Sequence, residues 1–187
     1  MSKNDMVMVK RCHQRDVHRG FSYWHDMKRR TSATDRKKNL AYSSASVCEE
    51  WSDFEAFSAW FVNQPKMTGW VLDKDLLSGG VKIYSPATCC FIPREVNQML
   101  VCNRSDSGGY PGVYRRGSQF VARVKARNKR IHVGTYATQD QALEAYLAAK
   151  SDLLSIHADA YEEVLDPRAY RAMKNYDFRA ALERKPS

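Results

Sequence analysis

Three short runs of alternating polar and apolar residues, followed by one long amphipathic run, constrain the fold more than any other feature. The short runs are 112–116, 118–126 and 129–137. Such alternation predicts strands with two different faces, and tight connections predict that neighbouring strands are antiparallel. In the long run, 138–157, Thr138 and Gln141 are spaced to form a capping box at the start of a helix. We therefore expect a three-stranded antiparallel sheet packed on a helix.

The alternation gives this sheet two faces of different chemistry. Apolar side chains that face the helix are expected at Val113, Ala122, Val124, Ile131 and Val133. The opposite face is expected to hold Tyr114, Arg116, Arg123, Lys125, Arg130 and His132. A charged but merely solvated face is the alternative, yet residues 110–136 contain seven basic residues and no acidic one. Clustered cations with an aromatic ring among them suit the phosphates and guanine edges of a DNA groove.

The distribution of charge along the chain supports a polyanionic partner. The net charge of +9 is divided into +7 over residues 1–46, −3 over 47–103 and +5 over 104–187. Two basic regions therefore flank a mildly acidic centre, which is typical of proteins that bind nucleic acid. The alternative is a basic protein that is merely soluble.

Cysteine use and hydropathy indicate an intracellular protein with reduced thiols. Five cysteines without a secretory signal do not predict a disulfide framework. The sequence contains no run of 18 apolar residues, so no membrane span is expected. A zinc site built from Cys12, His13 and His18 would need an unusual ligand spacing, so buried thiols and solvent-facing histidines are the preferred interpretation.

Residues 112–150 resemble the plant ethylene-response-factor (Apetala-type) DNA-binding domain. The resemblance rests on Gly112-Val113, on Ala122 and Val124, on the run 133–136, and on Thr138, Ala142 and Ala145-Tyr146. It implies a sheet laid into the major groove of DNA, with contacts from Arg116, Arg123, Lys125, Arg130 and His132. Tyr114, Ser118 and His132 depart from the plant pattern, so the sequence preference of plant members is not carried over.

The rest of the chain predicts helices and short strands. Spaced aromatic residues predict helices over 19–30 and after Ser52 or Asp53, and 166–185 predicts a C-terminal helix. The polar segment 31–46 predicts a loop. Residues 69–77 and 81–85 predict two strands joined by a glycine turn, and 93–101 predicts a short helix. The fold class is therefore α+β, with domains over 1–103 and 104–187.

The segment 69–101 has the layout that a ββα nuclease site requires, which is a strand, a turn, a second strand and a helix. It resembles HNH-type, homing-like endonucleases encoded by bacteriophages, over roughly residues 20–103. The resemblance places Asp73 and Asn97 as ligands of a divalent metal, Mg²⁺ or Mn²⁺, if the site is active. Lys74 occupies the position of the catalytic His, and Thr88 that of an orienting Asn.

Lys74 is a poor general base at the ordinary pKa of lysine, about 10.4. It could instead bind phosphate as a point charge, and Asp75 is an alternative base or ligand. Two functions therefore remain open. One is a metal-dependent DNA endonuclease of the phage HNH type in the host bacterial cytoplasm. The other is an inactive HNH-like protein that occupies DNA and regulates or inhibits host DNA functions. Double-stranded DNA is the expected partner, with no membrane and no small-molecule cofactor, and the oligomeric state is left open.

Overall fold

A computed structural model describes residues 19–38, 44–101, 109–126 and 129–184, and confirms the α+β class. The helices are α1 (19–30), α2 (Ala33–Lys38), α3 (Phe54–Val62), α4 (Arg94–Leu100), α5 (Gln139–Ala160), α6 (Pro167–Lys174) and α7 (Phe178–Glu183). The strands are β1 (Ser46–Val47), β2 (Val71–Asp73), β3 (Ile83–Tyr84), β4 (Cys90–Ile92), β5 (Val113–Arg116), β6 (Gln119–Ala126) and β7 (Lys129–Tyr136). Within the described ranges, no helix is both long and apolar enough to cross a bilayer.

Two compact units make up the chain. The first comprises Met1–Pro65 and Leu72–Phe91, and the second comprises Lys66–Val71 and Ile92–Ser187. The second unit includes α4, because this helix packs on α5. The domains 1–103 and 104–187 were inferred from motifs and stay an interpretation of the sequence.

Aromatic side chains form the core of the first unit. The rings of Trp51, Phe57 and Phe61 are almost completely buried, as their helical spacing predicts. The carboxylate of Asp53 accepts a hydrogen bond from the N–H of Ala56 and caps α3, which confirms one of the two expected caps. Trp51 itself lies just before α3, in a 3₁₀ turn at Glu50–Ser52.

The expected loop over 31–46 is partly helical. Residues Ala33–Lys38 form α2, and the hydroxyl of Ser32 accepts a hydrogen bond from the N–H of Asp35 at the start of this helix. A serine at such a position satisfies a backbone donor that the helix leaves free, so the Ser-rich composition here marks a helix start as well as a loop.

The short strands of the first half pair differently from the expected hairpin. Strand β3 pairs in parallel with β1, with Ser46 opposite Ile83 and Val47 opposite Tyr84, while β2 pairs with β4. The expectation that 81–85 returns along 69–77 was therefore wrong. The reason is local, because the Asp73 carboxylate accepts the backbone N–H groups of Asp75 and Leu76, which a returning strand would need.

The expected sheet of the second unit is confirmed. Strands β5, β6 and β7 form an antiparallel sheet in that order, and α5 packs against it. Thr138 and Gln141 form the predicted capping box. Gly112 has a φ of +73°, and an added Cβ would lie 2.2 Å from the ring of Tyr146, so this close approach of strand and helix requires glycine.

The sequence spacing of Ala142, Ala145, Tyr146, Ala149 and Leu153 predicts one buried stripe along α5. The observed stripe is wider, because α5 packs on α6 and α7 as well as on the sheet. Ala142 and Tyr146 are buried, whereas Ala145, Ala149 and Leu153 are half-buried. The buried residues are Ala142, Leu143, Tyr146, Leu147, Lys150, Leu154 and Ala158. The C-terminal helical segment is present and is interrupted before Asp177, whose carboxylate caps α7 through the N–H of Ala180.

Candidate nucleic-acid interface and the Asp73 loop

The outer face of the sheet, away from α5, carries a cluster of exposed cations. Cross-strand pairing places Arg123 opposite His132 and Lys125 opposite Arg130. Directly opposed residues of this kind have Cβ atoms about 5 Å apart. We define the outer face as the exposed side chains of Tyr114, Arg116, Arg123, Lys125, Arg130 and His132. All five predicted DNA-binding residues therefore lie in exposed positions on one sheet.

An irregularity in β7 determines which residues share this face. Ala122 is paired with Gly134, and the next residue, Arg123, is paired with His132, so Val133 has no direct partner. Without this extra residue in the register, simple alternation from Thr135 would direct His132 towards the helix. The β-bulge thus keeps His132 and Arg130 on the same side as Arg123. Ile131 is correspondingly on the helix side, although it is 45% exposed.

The cations of the outer face have no acidic partner in the part of the chain that the structure describes. Among the described residues, none of Arg116, Arg123, Lys125 and Arg130 takes part in an ion pair, whereas ion pairs occur elsewhere in the chain. The neighbouring Arg115 differs, because its Nε donates to the carbonyl of Gly117 in the adjoining turn. The face therefore presents positive charge that the described part of the protein does not neutralise.

Asp73 ends β2 and holds the loop that follows. Its Oδ1 accepts the N–H of Asp75 at 3.0 Å and the N–H of Leu76 at 2.7 Å. The residue is only 5% exposed. Burial and, to a smaller degree, the Asp75 carboxylate raise the pKa of this carboxyl from 3.8 to about 6, while the two backbone N–H groups and Lys74 act in the opposite direction. Mildly acidic solution therefore protonates Asp73 more than it protonates an ordinary aspartate.

Lys74 is buried beside Asp73, with 4% of its surface exposed. Its ammonium nitrogen lies 2.6 Å from Oδ1 of Asp75 and 5.6 Å from the ring centroid of Tyr84. Burial and this ion pair hold the ammonium within the loop. Contact between Lys74 and a phosphate stays a prediction, and it requires the pair with Asp75 to open.

Thr88 ties the following loop together. Its hydroxyl donates to the carbonyl of Ile83 at 2.6 Å and accepts the N–H of Ser85 at 3.1 Å. The hydroxyl of Ser85 lies 2.9 Å from that of Thr88. These contacts fix the backbone between β3 and β4.

Three cysteines lie near this loop. Cys89 and Cys90 are buried thiols, and Cys48 is a half-buried one. Burial raises the pKa of the Cys89 thiol to about 12, which favours its protonated form. The alternative zinc ligands Cys12, His13 and His18 lie outside the described residues.

Oxygen atoms supply the donors of the predicted metal site. Oδ2 of Asp73 accepts no hydrogen bond from a described residue, so it is available to a hard cation. Asn97 is half-buried on α4, and it belongs to the second unit while Asp73 belongs to the first. The described residues contain no group of three or more His, Cys, Asp or Glu side chains that could hold a metal. Asp73 with Asn97 thus stays a proposed pair.

Comparison with known proteins gives no further assignment. No family model matches the chain, and no curated protein or solved structure matches it. Sequence reasoning missed the ion pair of Lys74 with Asp75 and the role of Ser85 beside Thr88. The adjacent opposite charges of Lys74 and Asp75, and the nearby hydroxyl groups of Ser85 and Thr88, are visible in the sequence. The sequence does not show that Lys74 is buried, and this burial is what makes its contact with Asp75 specific.

Proposed function

We propose that this chain binds double-stranded DNA through the outer face of its three-stranded sheet. The observation that carries the proposal is the exposure of Arg116, Arg123, Lys125 and Arg130 without acidic partners among the described residues. The major groove of DNA admits strands, and Arg and Lys recognise both its phosphates and its guanine edges. The resemblance of 112–150 to a groove-binding domain agrees with this use.

The first experiment compares duplex binding by the unaltered chain and by an Arg123→Ala/Arg130→Ala variant. Each charged contact to a phosphate or a guanine contributes about 1–3 kcal/mol, so the double variant is expected to lose about 100-fold or more in affinity. Arg115→Ala is the matched control, since Arg115 is a neighbouring cation held by its own turn. An unchanged affinity in the double variant would overturn the proposal.

We also propose that the chain is a metal-dependent DNA endonuclease of the HNH type, on the separate observation of Asp73. This carboxylate is buried and fixed through Oδ1, and its Oδ2 accepts no hydrogen bond from the residues that the structure describes. Asp73 and Asn97 would hold Mg²⁺ or Mn²⁺, and a bound divalent ion stabilises the charge that develops at phosphorus and at the leaving oxygen. Burial raises the pKa of Asp73 to about 6, and Lys74 acts against this rise.

The test is plasmid nicking in Mg²⁺ or Mn²⁺ by the full chain and by Asp73→Asn. The amide oxygen of Asn can still accept the N–H groups of Asp75 and Leu76, so the loop keeps its hydrogen bonds while the charge is lost. Cleavage by the unaltered chain that disappears in Asp73→Asn supports the nuclease. Absence of cleavage by the unaltered chain, with tight duplex binding retained, supports the alternative.

That alternative is a DNA-binding protein that acts by occupancy, as a regulator or an inhibitor of host DNA functions. It is favoured by Lys74, which replaces the expected base and is engaged with Asp75. The bacteriophage origin and intracellular location implied by the resemblance belong to both forms of the proposal.

A further inference from the structure

An exposed aromatic ring on α1 stands out in the first unit. Phe21 is 48% exposed, although its ring contacts three others. Its centroid lies 5.3 Å from Phe54, 5.9 Å from Trp24 and 6.3 Å from His25, and the His25 ring is nearly parallel to it at 26°. A single exposed apolar side chain is ordinary. Phe21 differs because aromatic rings pack around it and its helix carries several cations.

The ring of Phe21 packs on other aromatic side chains that are themselves fixed in place. Trp24 donates through Nε1 to the carbonyl of Trp51 at 2.9 Å, and its ring lies 5.7 Å from that of Phe54. Gly20 is buried, and a Cβ at that position would lie 3.1 Å from the ring of Phe61, so α1 packs closely on the aromatic core. An aromatic surface fixed in this way loses little conformational entropy when a flat ligand stacks on it.

Positive charge predominates in the segment that carries the exposed ring. Residues 19–38 contain seven Lys and Arg and two acidic residues, Asp26 and Asp35. Arg29 pairs with both of these carboxylates, at 3.3 Å and 2.8 Å. Lys28 instead places its ammonium 5.5 Å from the ring centroid of Trp24, and its position seven residues after Phe21 puts it on the same face of α1. The segment therefore carries net positive charge, while its acidic groups are already engaged.

A ligand that fits must offer flat faces and negative charge together. Nucleic acid does so, and its bases must be unpaired, because a duplex already stacks both faces of each base. We propose that Phe21, His25 and Lys28 form a platform on which unpaired bases of a DNA strand stack while Lys28 contacts phosphate. This platform is separate from the outer face of the sheet, and it shares with the proposed function only the class of partner.

Fluorescence anisotropy with a labelled oligothymidylate tests the platform on the full chain. Phe21→Leu keeps an apolar side chain against Phe54 but removes the flat ring, and it is expected to weaken binding about tenfold, the size of one lost base stack. Phe21→Trp is expected to retain binding. Lys28→Met is expected to reduce the slope of log affinity against log salt by about 0.7.

The matched control is Val81→Ala, which trims another exposed apolar side chain of the same unit, 59% exposed. Thermal melting checks that each variant folds. The proposal is overturned if the unaltered chain does not bind the oligothymidylate, if Phe21→Leu binds as well as the unaltered chain, or if Val81→Ala weakens binding equally.

A duplex of mixed sequence separates this proposal from the proposed function. Phe21→Leu is expected to leave duplex affinity unchanged, and Arg123→Ala/Arg130→Ala is expected to lower it. If Phe21→Leu weakens single-strand binding while the double variant still binds duplex normally, the platform stands and the proposed sheet interface fails. The reverse pattern removes the platform and retains the sheet.

Discussion

The outer face of the sheet and the Asp73 loop use similar charged residues in opposite ways. On the sheet, Arg123 and Lys125 are exposed and have no acidic partner among the described residues. In the loop, Lys74 and Asp73 are buried, and their charges are engaged by Asp75 and by backbone N–H groups. Exposed charge contributes by attracting a distant partner, whereas buried charge contributes by shifting the protonation of its neighbours.

The largest expected effect concerns salt and the sheet. If the four cations of the outer face, Arg116, Arg123, Lys125 and Arg130, neutralise about four phosphates, the slope of log affinity against log salt is about −3.6, and duplex affinity falls about 150-fold between 50 and 200 mM salt. Anisotropy titrations at several salt concentrations measure this slope. Arg115→Ala, which removes a neighbouring cation held by its own turn, is the control and should leave the slope as it was. A slope near zero would mean that the exposed cations do not meet phosphates.

The next effect concerns the stability of the loop. The folded protein binds the Asp73 proton more tightly than the unfolded chain, since the pKa is about 6 rather than 3.8. The contribution of Asp73 to the free energy of unfolding therefore falls as pH rises from about 4 to about 6, by about 3 kcal/mol in total. Asp73→Asn removes this loss, so the variant is expected to be more stable than the unaltered chain above pH 6.

Urea unfolding at about pH 4 and about pH 8 measures this difference, with the variant compared with the unaltered chain at each pH so that other carboxyl groups cancel. If Asp73→Asn increases the free energy of unfolding at the higher pH alone, the buried charge of Asp73 reduces stability. Functional groups are often retained at such a cost. Equal destabilisation at both pH values would mean that the effect does not depend on the charge of Asp73, so that the raised pKa does not control stability.

A smaller effect separates adjacent residues of β5. Arg116 lies on the outer face, whereas the Nε of Arg115 is bound to the carbonyl of Gly117. Arg116→Ala is expected to weaken duplex binding about tenfold, and Arg115→Ala is expected to leave it nearly unchanged. Equal losses in the two variants would mean that net charge alone, without the orientation of the face, controls affinity.

The two regions were not equally predictable from the sequence. The sheet and α5 follow from local patterns, because alternation sets the faces of strands and the spacing of Thr138 and Gln141 sets a helix start. The bulge at Val133 leaves Arg130 and His132 on the predicted face, although nothing in the pattern marks it. These features depend on residues that are close in the chain.

The Asp73 loop depends on contacts that a sequence pattern does not contain. Strand β3 is two residues long and pairs with β1, which lies far away in the chain, and strands this short have no useful period. The motif did single out Asp73, Lys74 and Thr88. Their burial, and hence the raised pKa of Asp73, comes from the packing of distant residues and could not be read from spacing.

The smallest expected effect resolves how the loop sets the pKa of Asp73. The Asp75 carboxylate raises this pKa, and the Lys74 ammonium lowers it to a lesser degree. Asp75→Asn is therefore expected to lower the pKa of Asp73 from about 6, and it also frees Lys74 to act on Asp73 alone. Lys74→Met is expected to raise the same pKa. Titration of the Asp73 carboxyl carbon by NMR measures both shifts. Shifts of opposite sign would establish that the three charges act as one electrostatic unit. Shifts of the same sign would instead mean that each substitution changes the burial of Asp73, so that desolvation, the largest cause of the raised pKa, controls the loop.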